Sequence, residues 1–330
     1  MLILSEKEIR TLYSMEDAIQ DLEEALLFYK KGEIINPERT VIEFPTKHAS
    51  ALYMPSAMDP IGKAAVKIVT IFPHNPSKGK STTQGVILLN DTNSGEPLAC
   101  LNASYLTRLR TGAVSGIATK YLAKETASTV TLIGCGAMAE SQLQAILFVR
   151  NIKEVYLFNR TKIKAEQFAE KIKDISPWYK GTVSVVEDVN EAVSKSDIII
   201  CSTRSEETPV FLGEVLKPGT HINGVGSYLP HMQEVDVNTL LKCSKIVVDT
   251  LEGSRTEAGD FIIPDRAGLW SFSELHGELG DLVSRDATGR ETDEEITFFK
   301  SVGIAYFDLA VAANVYEKAV SKGIGTQVDI

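Results

Sequence analysis

The 330-residue chain has little in it that would staple the fold or hold a metal. Its four cysteines, Cys100, Cys135, Cys201 and Cys243, form no CxxC pair, and two of them lie in apolar, strand-like segments. That usage excludes a disulfide framework and reads as reduced, buried thiols in a cytoplasmic protein. The five histidines, His48, His74, His221, His231 and His276, show neither H-x₃-H nor HExxH spacing, so no metal centre is expected. Structural or solvated roles are their default, with His221 next to the core. Long apolar runs are missing too. Thr129–Ile133 and Asp197–Cys201 have the length of strands, far short of the roughly 20 residues that span a bilayer. The N-terminal stretch carries a charge at Glu6 and has no extended apolar core, so no signal peptide is expected. Positive charge is in deficit: 34 Lys and Arg stand against 44 Asp and Glu, a net charge of −10. A nucleic-acid or anionic-membrane partner would need a basic surface and is not expected. There is no internal repeat and no low-complexity tract.

With 44% hydrophobic and 24% charged residues, the composition is that of a soluble globular chain, and the length suits two domains. Residues 15–31 place Ala18, Leu22, Ala25, Leu26 and Tyr29 on one helical stripe, with Ser14 as N-cap and Gly32 as C-cap. From 39 to 100 the texture changes to short β-like pieces, RTVIEF, ASALYM, AAVKIVTIF and GVILLND, separated by turn-rich clusters. Leu101–Ala123 reads as a helix whose small residues, Gly112, Ala113 and Gly116, imply close packing. From Thr129 apolar strands alternate with helices, which implies a parallel sheet covered on both faces. Residues 252–298 are acidic and less regular, and a helix over about 301–322 closes the chain.

The strand TVTLI runs into Gly134-Cys135-Gly136-Ala137-Met138-Ala139. This is the GxGxxA form of the dinucleotide fingerprint. Its first glycine allows the tight turn, the second lets backbone approach a pyrophosphate, and the small third residue lets the helix pack on the strand. A lone fingerprint is weak, but this one has a strand before it, a helix after it and a second strand about 20 residues on. At the end of that second strand an NAD site usually carries Asp or Glu for the ribose 2′-hydroxyl. Here Asn159-Arg160-Thr161 stands instead. No carboxylate repels a 2′-phosphate and Arg160 can pair with one, so NADP(H) is favoured and NAD(H) is the alternative. Cys201-Ser202-Thr203 and Gly224-Val225-Gly226-Ser227 end later strands, at the edge where open α/β sheets bind ligands.

Anion-binding candidates precede residue 125. Lys67 is flanked by apolar residues, and a desolvated lysine has a lowered pKa. Arg110 sits on a helix of small residues, and a guanidinium binds a carboxylate bidentately. By residue chemistry alone, these two and Arg39 could equally be ordinary surface charges. Asp308, on the apolar final helix, reads either as an internal cap or salt-bridge partner or as a pocket group. Glu274, Glu278 and Asp281 would share one solvated face if their segment were helical.

Taken together and in order, K-I-V-T-x-x-P-x-N (Lys67–Asn75), L-R-T-G-A-V-S-G (Leu109–Gly116), I-G-C-G-A-M-A (Ile133–Ala139), F-N-R-T (Phe158–Thr161), H-I-N-G-V-G-S-Y-x-P (His221–Pro230) and K-S-V-G-I-A (Lys300–Ala305) resemble the ornithine cyclodeaminase/mu-crystallin family over nearly the whole chain. The resemblance implies an α/β fold: a Rossmann-type doubly wound parallel sheet over 124–302, plus an outer α+β domain for substrate binding and dimerisation, 1–123 with 303–330. It implies a homodimer. It places Arg39, Lys67 and Arg110 on the substrate α-carboxylate, with Lys67 beside the reacting atoms, and Met54, Tyr228 and Val302 also at the substrate. Thr82, Arg110 and Thr111 would touch the cofactor, whose pyrophosphate would sit at Gly134, Gly136, Ala137 and Met138. Asn159, Arg160 and Thr161 would hold the adenosine ribose, and Thr203, Val225, Gly226 and Ser301 the nicotinamide half.

One departure from the family pattern discriminates among its activities. Cyclodeaminases have an aspartate two residues after the glycine of the strand-end loop, then x-Pro-Gly-Lys. This chain has Tyr228 there and no Gly-Lys. Tyrosine, with an ordinary pKa near 10, is a poor base at neutral pH. The resemblance therefore points to an imine reductase acting on a small cyclic imino acid, Δ1-pyrroline-2-carboxylate or its six-membered homologue, with Lys67 and Arg110 catalytic. Ornithine cyclodeaminase and alanine dehydrogenase are the alternatives in the same fold. A protein that merely sequesters a small ligand with its nucleotide is the alternative of another class. The net acidity does not conflict with anionic ligands: residues 252–298 hold 12 acidic and 4 basic residues, and Arg39, Lys67, Arg110 and Arg160 all lie outside them.

Overall fold

Burial along Ala49–Met58 shows how the first sheet is built: Ala49 and Ala51, and after a shift of phase at Leu52–Tyr53 also Met54, Ser56 and Met58, are buried in alternation with less covered neighbours. The computed structural model describes residues 1–206 and 208–329. The chain divides into two compact units, Met1–Arg110 with Ile304–Ile330, and Thr111–Gly303. The division falls inside the helix Ala103–Leu122, earlier than the expected boundary at residue 123.

In the first unit the strands Thr40–Phe44, Ala49–Met58, Lys63–Ile71, Thr83–Asp91 and Pro97–Asn102 form an antiparallel meander. Leu2–Leu4 adds to it in parallel beside Pro97–Asn102, and Thr326–Gln327 closes that edge. The covered face carries Met54, Met58, Ile87, Leu89, Ala99 and Leu101, all buried. The helix Ala305–Lys322 packs across the three central strands and against the helix Met15–Lys30. Ser14 caps the latter through a reciprocal box with Asp17, and Gly32, at φ +74°, supplies the left-handed residue that ends it. The segment read as helix from Leu101 begins instead as strand. Asn102 then starts the helix by accepting from the Tyr105 N–H at 3.1 Å.

The second unit holds an all-parallel sheet in the order Thr182–Val185, Glu154–Phe158, Thr129–Ile133, Ile198–Cys201, His221–Gly224, Thr297–Lys300, Lys245–Val248, Gly277–Glu278. Ile198 and Ile200 pack into one core with Leu143, Ile146 and Phe168 of the helices Ala139–Val149 and Lys162–Ile175. Ile199 and Cys201 pack into another with Phe211, Phe261, Trp270 and Phe298. A strand buried on both faces has no polar side to show, which is why its sequence is a continuous apolar run. His221 is buried beside Thr297, and its pKa is pulled down to about 3 by desolvation, with Arg290 and Arg150 adding to the effect. It is a neutral structural residue at physiological pH.

Two expectations for the acidic stretch change. Thr297–Lys300 is a full strand inserted between His221–Gly224 and Lys245–Val248. Its four residues follow an acidic run and end in a lysine, so local pattern hides it. Nor do Glu274, Glu278 and Asp281 share a helical face. Gly277–Glu278 is a strand, and Glu278 caps the short helix Leu279–Ser284 with Asp281. Among the described residues, no helix is long and apolar enough to cross a membrane, and all four cysteines are free thiols.

Candidate active site

In the first unit, strand register places the key lysine. Lys67 stands opposite Met54 on one neighbouring strand and opposite Ile87 on the other, so all three share the covered face. There the lysine meets the final helix. Its Nζ lies 2.6 Å from Oδ2 of Asp308, and both side chains are nearly inaccessible. Arg110, also buried, sends its Nε to the other carboxylate oxygen at 3.3 Å, and the Thr107 hydroxyl stands 3.5 Å from that same atom. Arg39, half-buried in the loop before Thr40–Phe44, is close enough for its charge to act on Lys67.

One anion thus faces two buried cations, with a third positive charge, Arg39, near enough to act on Lys67. Buried charges are costly unless balanced, and here one carboxylate answers two buried cations, Lys67 and Arg110. It is a site that an incoming carboxylate would complete. Burial pulls the Lys67 ammonium down to about 8, Asp308 opposes that shift, and Arg110 and Arg39 add to it. A lysine poised there can release a proton near neutrality. Asp308 therefore takes the salt-bridge role among the readings left open for it. Thr107 is a neighbour that sequence reasoning missed, since a lone threonine on a helix carries no signal. Thr82 lies elsewhere in this unit, where its carbonyl accepts from the Phe72 N–H at 2.8 Å.

In the second unit the strand order reverses between Thr129–Ile133 and Ile198–Cys201, and the glycine turn sits at that crevice. Gly134 has φ +98°. A Cβ there would meet the Ser202 carbonyl oxygen at 2.6 Å and the Thr203 methyl at 2.8 Å. The turn therefore packs directly on the neighbouring strand-end loop. A Cβ at Gly136 would meet no atom within 4 Å, so packing does not demand glycine there and the space is open to an incoming group. The helix Ala139–Val149 then begins at Met138 with no side chain capping its N-terminus, which suits a phosphate. Behind it, Thr111 offers its carbonyl to Gln142 Nε2 at 2.9 Å, and Gly112 lies against Ser141, so the small residues of the preceding helix allow close packing.

Asn159 accepts from the Cys135 N–H at 3.1 Å and donates to the Thr161 carbonyl, tying the end of the second strand to the glycine turn. Arg160 is exposed and forms no ion pair among the described residues. On the other side of the crevice, Val225 continues the ladder to the Cys201 carbonyl at 3.0 Å. Ser301 and Val302 are held by Asp249, a buried carboxylate that accepts from the Ser301 hydroxyl at 2.7 Å and from the N–H groups of Val302 and Gly303 at 2.9 and 2.7 Å. Tyr228 is half-buried in the loop after Ser227. Sequence reasoning missed Asp249. Its position immediately after the strand Lys245–Val248 was the available clue.

The profile described as the ornithine cyclodeaminase/mu-crystallin family matches residues 1–323. A Δ1-pyrroline-2-carboxylate reductase of Bacillus cereus (strain ZK / E33L) is 43% identical over the full length of both chains. The structure of Thermococcus litoralis Δ1-pyrroline-2-carboxylate reductase in complex with NADH and L-proline superposes with a TM-score of 0.95 at 40% identity, covering 99% of this chain and 100% of that one. An archaeal alanine dehydrogenase, a dimer with bound NAD, superposes with a TM-score of 0.92 at 38% identity, covering 100% and 99%.

Proposed function

The chain belongs to the ornithine cyclodeaminase/mu-crystallin family, and on that footing we propose that it reduces the C=N bond of Δ1-pyrroline-2-carboxylate to give L-proline, using a nicotinamide dinucleotide. The observation that carries this reading is the buried pair Lys67 and Arg110 on the single carboxylate of Asp308, with the charge of the half-buried Arg39 acting on Lys67. Its surplus positive charge suits a small acid whose carboxylate is bound away from water. Tyr228 supports a reductase over a cyclodeaminase, because no carboxylate stands at that loop position to take a proton from an attacking amine.

In this reading Arg110 and Arg39 take the substrate carboxylate by charge-assisted hydrogen bonds. Lys67, oriented by Asp308, donates a proton from Nζ to the imine nitrogen, and the iminium carbon becomes electron-poor. The hydride that this carbon accepts would come from a reduced nicotinamide dinucleotide held at the glycine turn. The C=N bond gains one proton and one hydride, and solvent reprotonates Lys67. Gly134, Gly136, Ala137 and Met138 would hold the pyrophosphate, and Asn159, Arg160 and Thr161 the adenosine ribose. Thr203, Val225, Gly226 and Ser301 would line the nicotinamide end. The test is spectrophotometric: pyrroline-2-carboxylate, piperideine-2-carboxylate, ornithine and alanine are each crossed with NAD(H) and NADP(H). Rapid oxidation of the reduced cofactor by the five-membered imine is expected. No oxidation with either cyclic imine would sink the proposal.

A pH profile probes the proton donor. Lys67 must be protonated, so kcat/KM should be level below its pKa of about 8 and fall roughly tenfold per unit above it. The stability effect has the opposite sense. The folded value lies below the ordinary 10.5, so the buried charge costs stability below about pH 8, and that cost is relieved as pH rises from there to 10.5. A rate that keeps climbing through pH 9 would assign the proton to another group.

The preferred cofactor in this reading is NADP(H). An exposed arginine stands where NAD sites usually carry an acid, although both solved relatives described above hold NAD(H). Arg160→Ala should raise KM for NADPH about tenfold, the value of one exposed charge-assisted bond, and leave KM for NADH unchanged. Equal effects on both would mean that Arg160 does not read the 2′-position. The protein is further proposed to be a cytoplasmic homodimer. The archaeal relative's dimer supports the homodimer, as do Val41 and Ile42, which are 47% and 45% exposed on the outer strand Thr40–Phe44.

A further inference from the structure

Glu234 belongs neither to the cationic cluster nor to the glycine turn, yet it is completely buried. Among the described residues, its carboxylate accepts from strand-end loops of the parallel sheet. Oε1 takes the Thr203 N–H at 2.6 Å and the Thr203 hydroxyl at 2.8 Å. Oε2 takes the Gly226 N–H at 2.7 Å and the Ser227 N–H at 3.1 Å. Thr203 follows Ile198–Cys201, and Gly226 follows its neighbour His221–Gly224. The ladder between these strands ends at Val225, and beyond it the carboxylate supplies acceptors that a backbone no longer can.

Two further observations show that this contact is built rather than incidental. A Cβ at Gly226 would meet the Thr203 carbonyl oxygen at 2.0 Å and Glu234 Oε1 at 2.4 Å, so the two loops close on the carboxylate only with glycine there. Glu234 is also fixed from behind. Its own N–H and that of Val235 donate to Asp260 Oδ1 at 2.6 and 3.0 Å. Asp260 Oδ2 pairs with Lys300 Nζ at 2.8 Å, and the Ser227 hydroxyl donates to Asp260 and accepts from Lys300. Asp260, Lys300 and Ser227 are fully buried as well. Four donors converge on one carboxylate. A carboxamide in its place would turn an NH₂ group against backbone N–H groups on one side or the other.

We propose that Glu234 is a positioning residue for the nicotinamide half of the cofactor. It sets the Thr203 and Gly226 loops at the carboxyl edge of the sheet, where the ring would rest. It also accepts the hydrogen bond of the Thr203 hydroxyl, which leaves that oxygen free only to accept, matched to an amide N–H such as that of a nicotinamide carboxamide. The inference rests on the nicotinamide-dinucleotide reading above and adds to it a residue that touches no ligand.

Calorimetric titration of the wild type and of Glu234→Gln with ADP-ribose and with NADH separates the two halves of the cofactor. ADP-ribose, which reaches only the glycine turn and the second strand, should bind both proteins within about twofold. NADH should bind the variant about tenfold more weakly or worse, the usual consequence of a buried hydrogen-bonded charge removed from a site's frame. If Glu234→Gln lacks the native circular dichroism, Thr203→Val decides the matter. That variant keeps every backbone bond to Glu234 and should weaken NADH but not ADP-ribose. The proposal is overturned if the folded variant binds NADH as the wild type does, or if both ligands weaken equally. A wild type that binds neither ligand would instead overturn the cofactor reading itself.

Discussion

Lys67→Met should lower kcat/KM for imine reduction by about 10³-fold, within the range that a positioned proton donor contributes. Methionine has nearly the length of lysine and no charge, so it suits a side chain that is 3% exposed on the covered face of the sheet. Asp308 keeps Arg110 as a partner in the variant, so the aspartate is not stranded. The loss should therefore appear in the reaction and not in the fold. Thermal unfolding should stay close to the wild type, because burial already draws the Lys67 ammonium down to about 8 and its removal takes away that cost. The falling limb of the pH profile above pH 8 should disappear along with most of the rate. Steady-state kinetics across pH 6–10 check both outcomes. A variant within tenfold of the wild type would move the proton donor to water and leave Lys67 as a carboxylate ligand only.

The second large effect is on stability. Asp308→Asn should cost about 3–5 kcal/mol, the usual result of removing one partner from a buried ion pair. The side chain keeps its shape, but Lys67 and Arg110, both almost wholly buried, lose their only anion in the cluster. Lysine can escape by losing its proton, whereas arginine cannot. The destabilisation should therefore shrink as pH rises past 8, where Lys67 is neutral in both proteins, and should persist in part through Arg110. Proline or a simple carboxylate should stabilise the variant more than the wild type, because an added anion replaces the missing one. Urea unfolding at pH 7 and pH 9.5, with and without proline, measures each part. A cost below about 1 kcal/mol at pH 7 would mean that water already screens the cluster, contrary to its burial.

Much of the chemistry was legible along the chain because it depends on short-range pattern. The glycine turn announces itself through residues within one strand–turn–helix unit. The Asn159-Arg160-Thr161 end follows from counting to the next strand, and the Ser14 cap and Gly32 stop need only the adjacent turn. The family motifs are local in the same sense. Lys67 could be suspected of burial from its apolar neighbours, but not of having a partner. That partner, Asp308, is 241 residues away and reaches it only because the final helix returns to the first unit. Likewise nothing near Glu234 in the sequence says that it closes two strand-end loops, or that Lys300 ends a central strand. Those facts depend on which strands become neighbours. Local periodicity records which face of an element is apolar, while the pairing of buried charges is set by the global packing that must neutralise them. The sequence by itself therefore determined the fold class and the type of cofactor turn, and the tertiary structure alone decided which charges meet and which loops they hold.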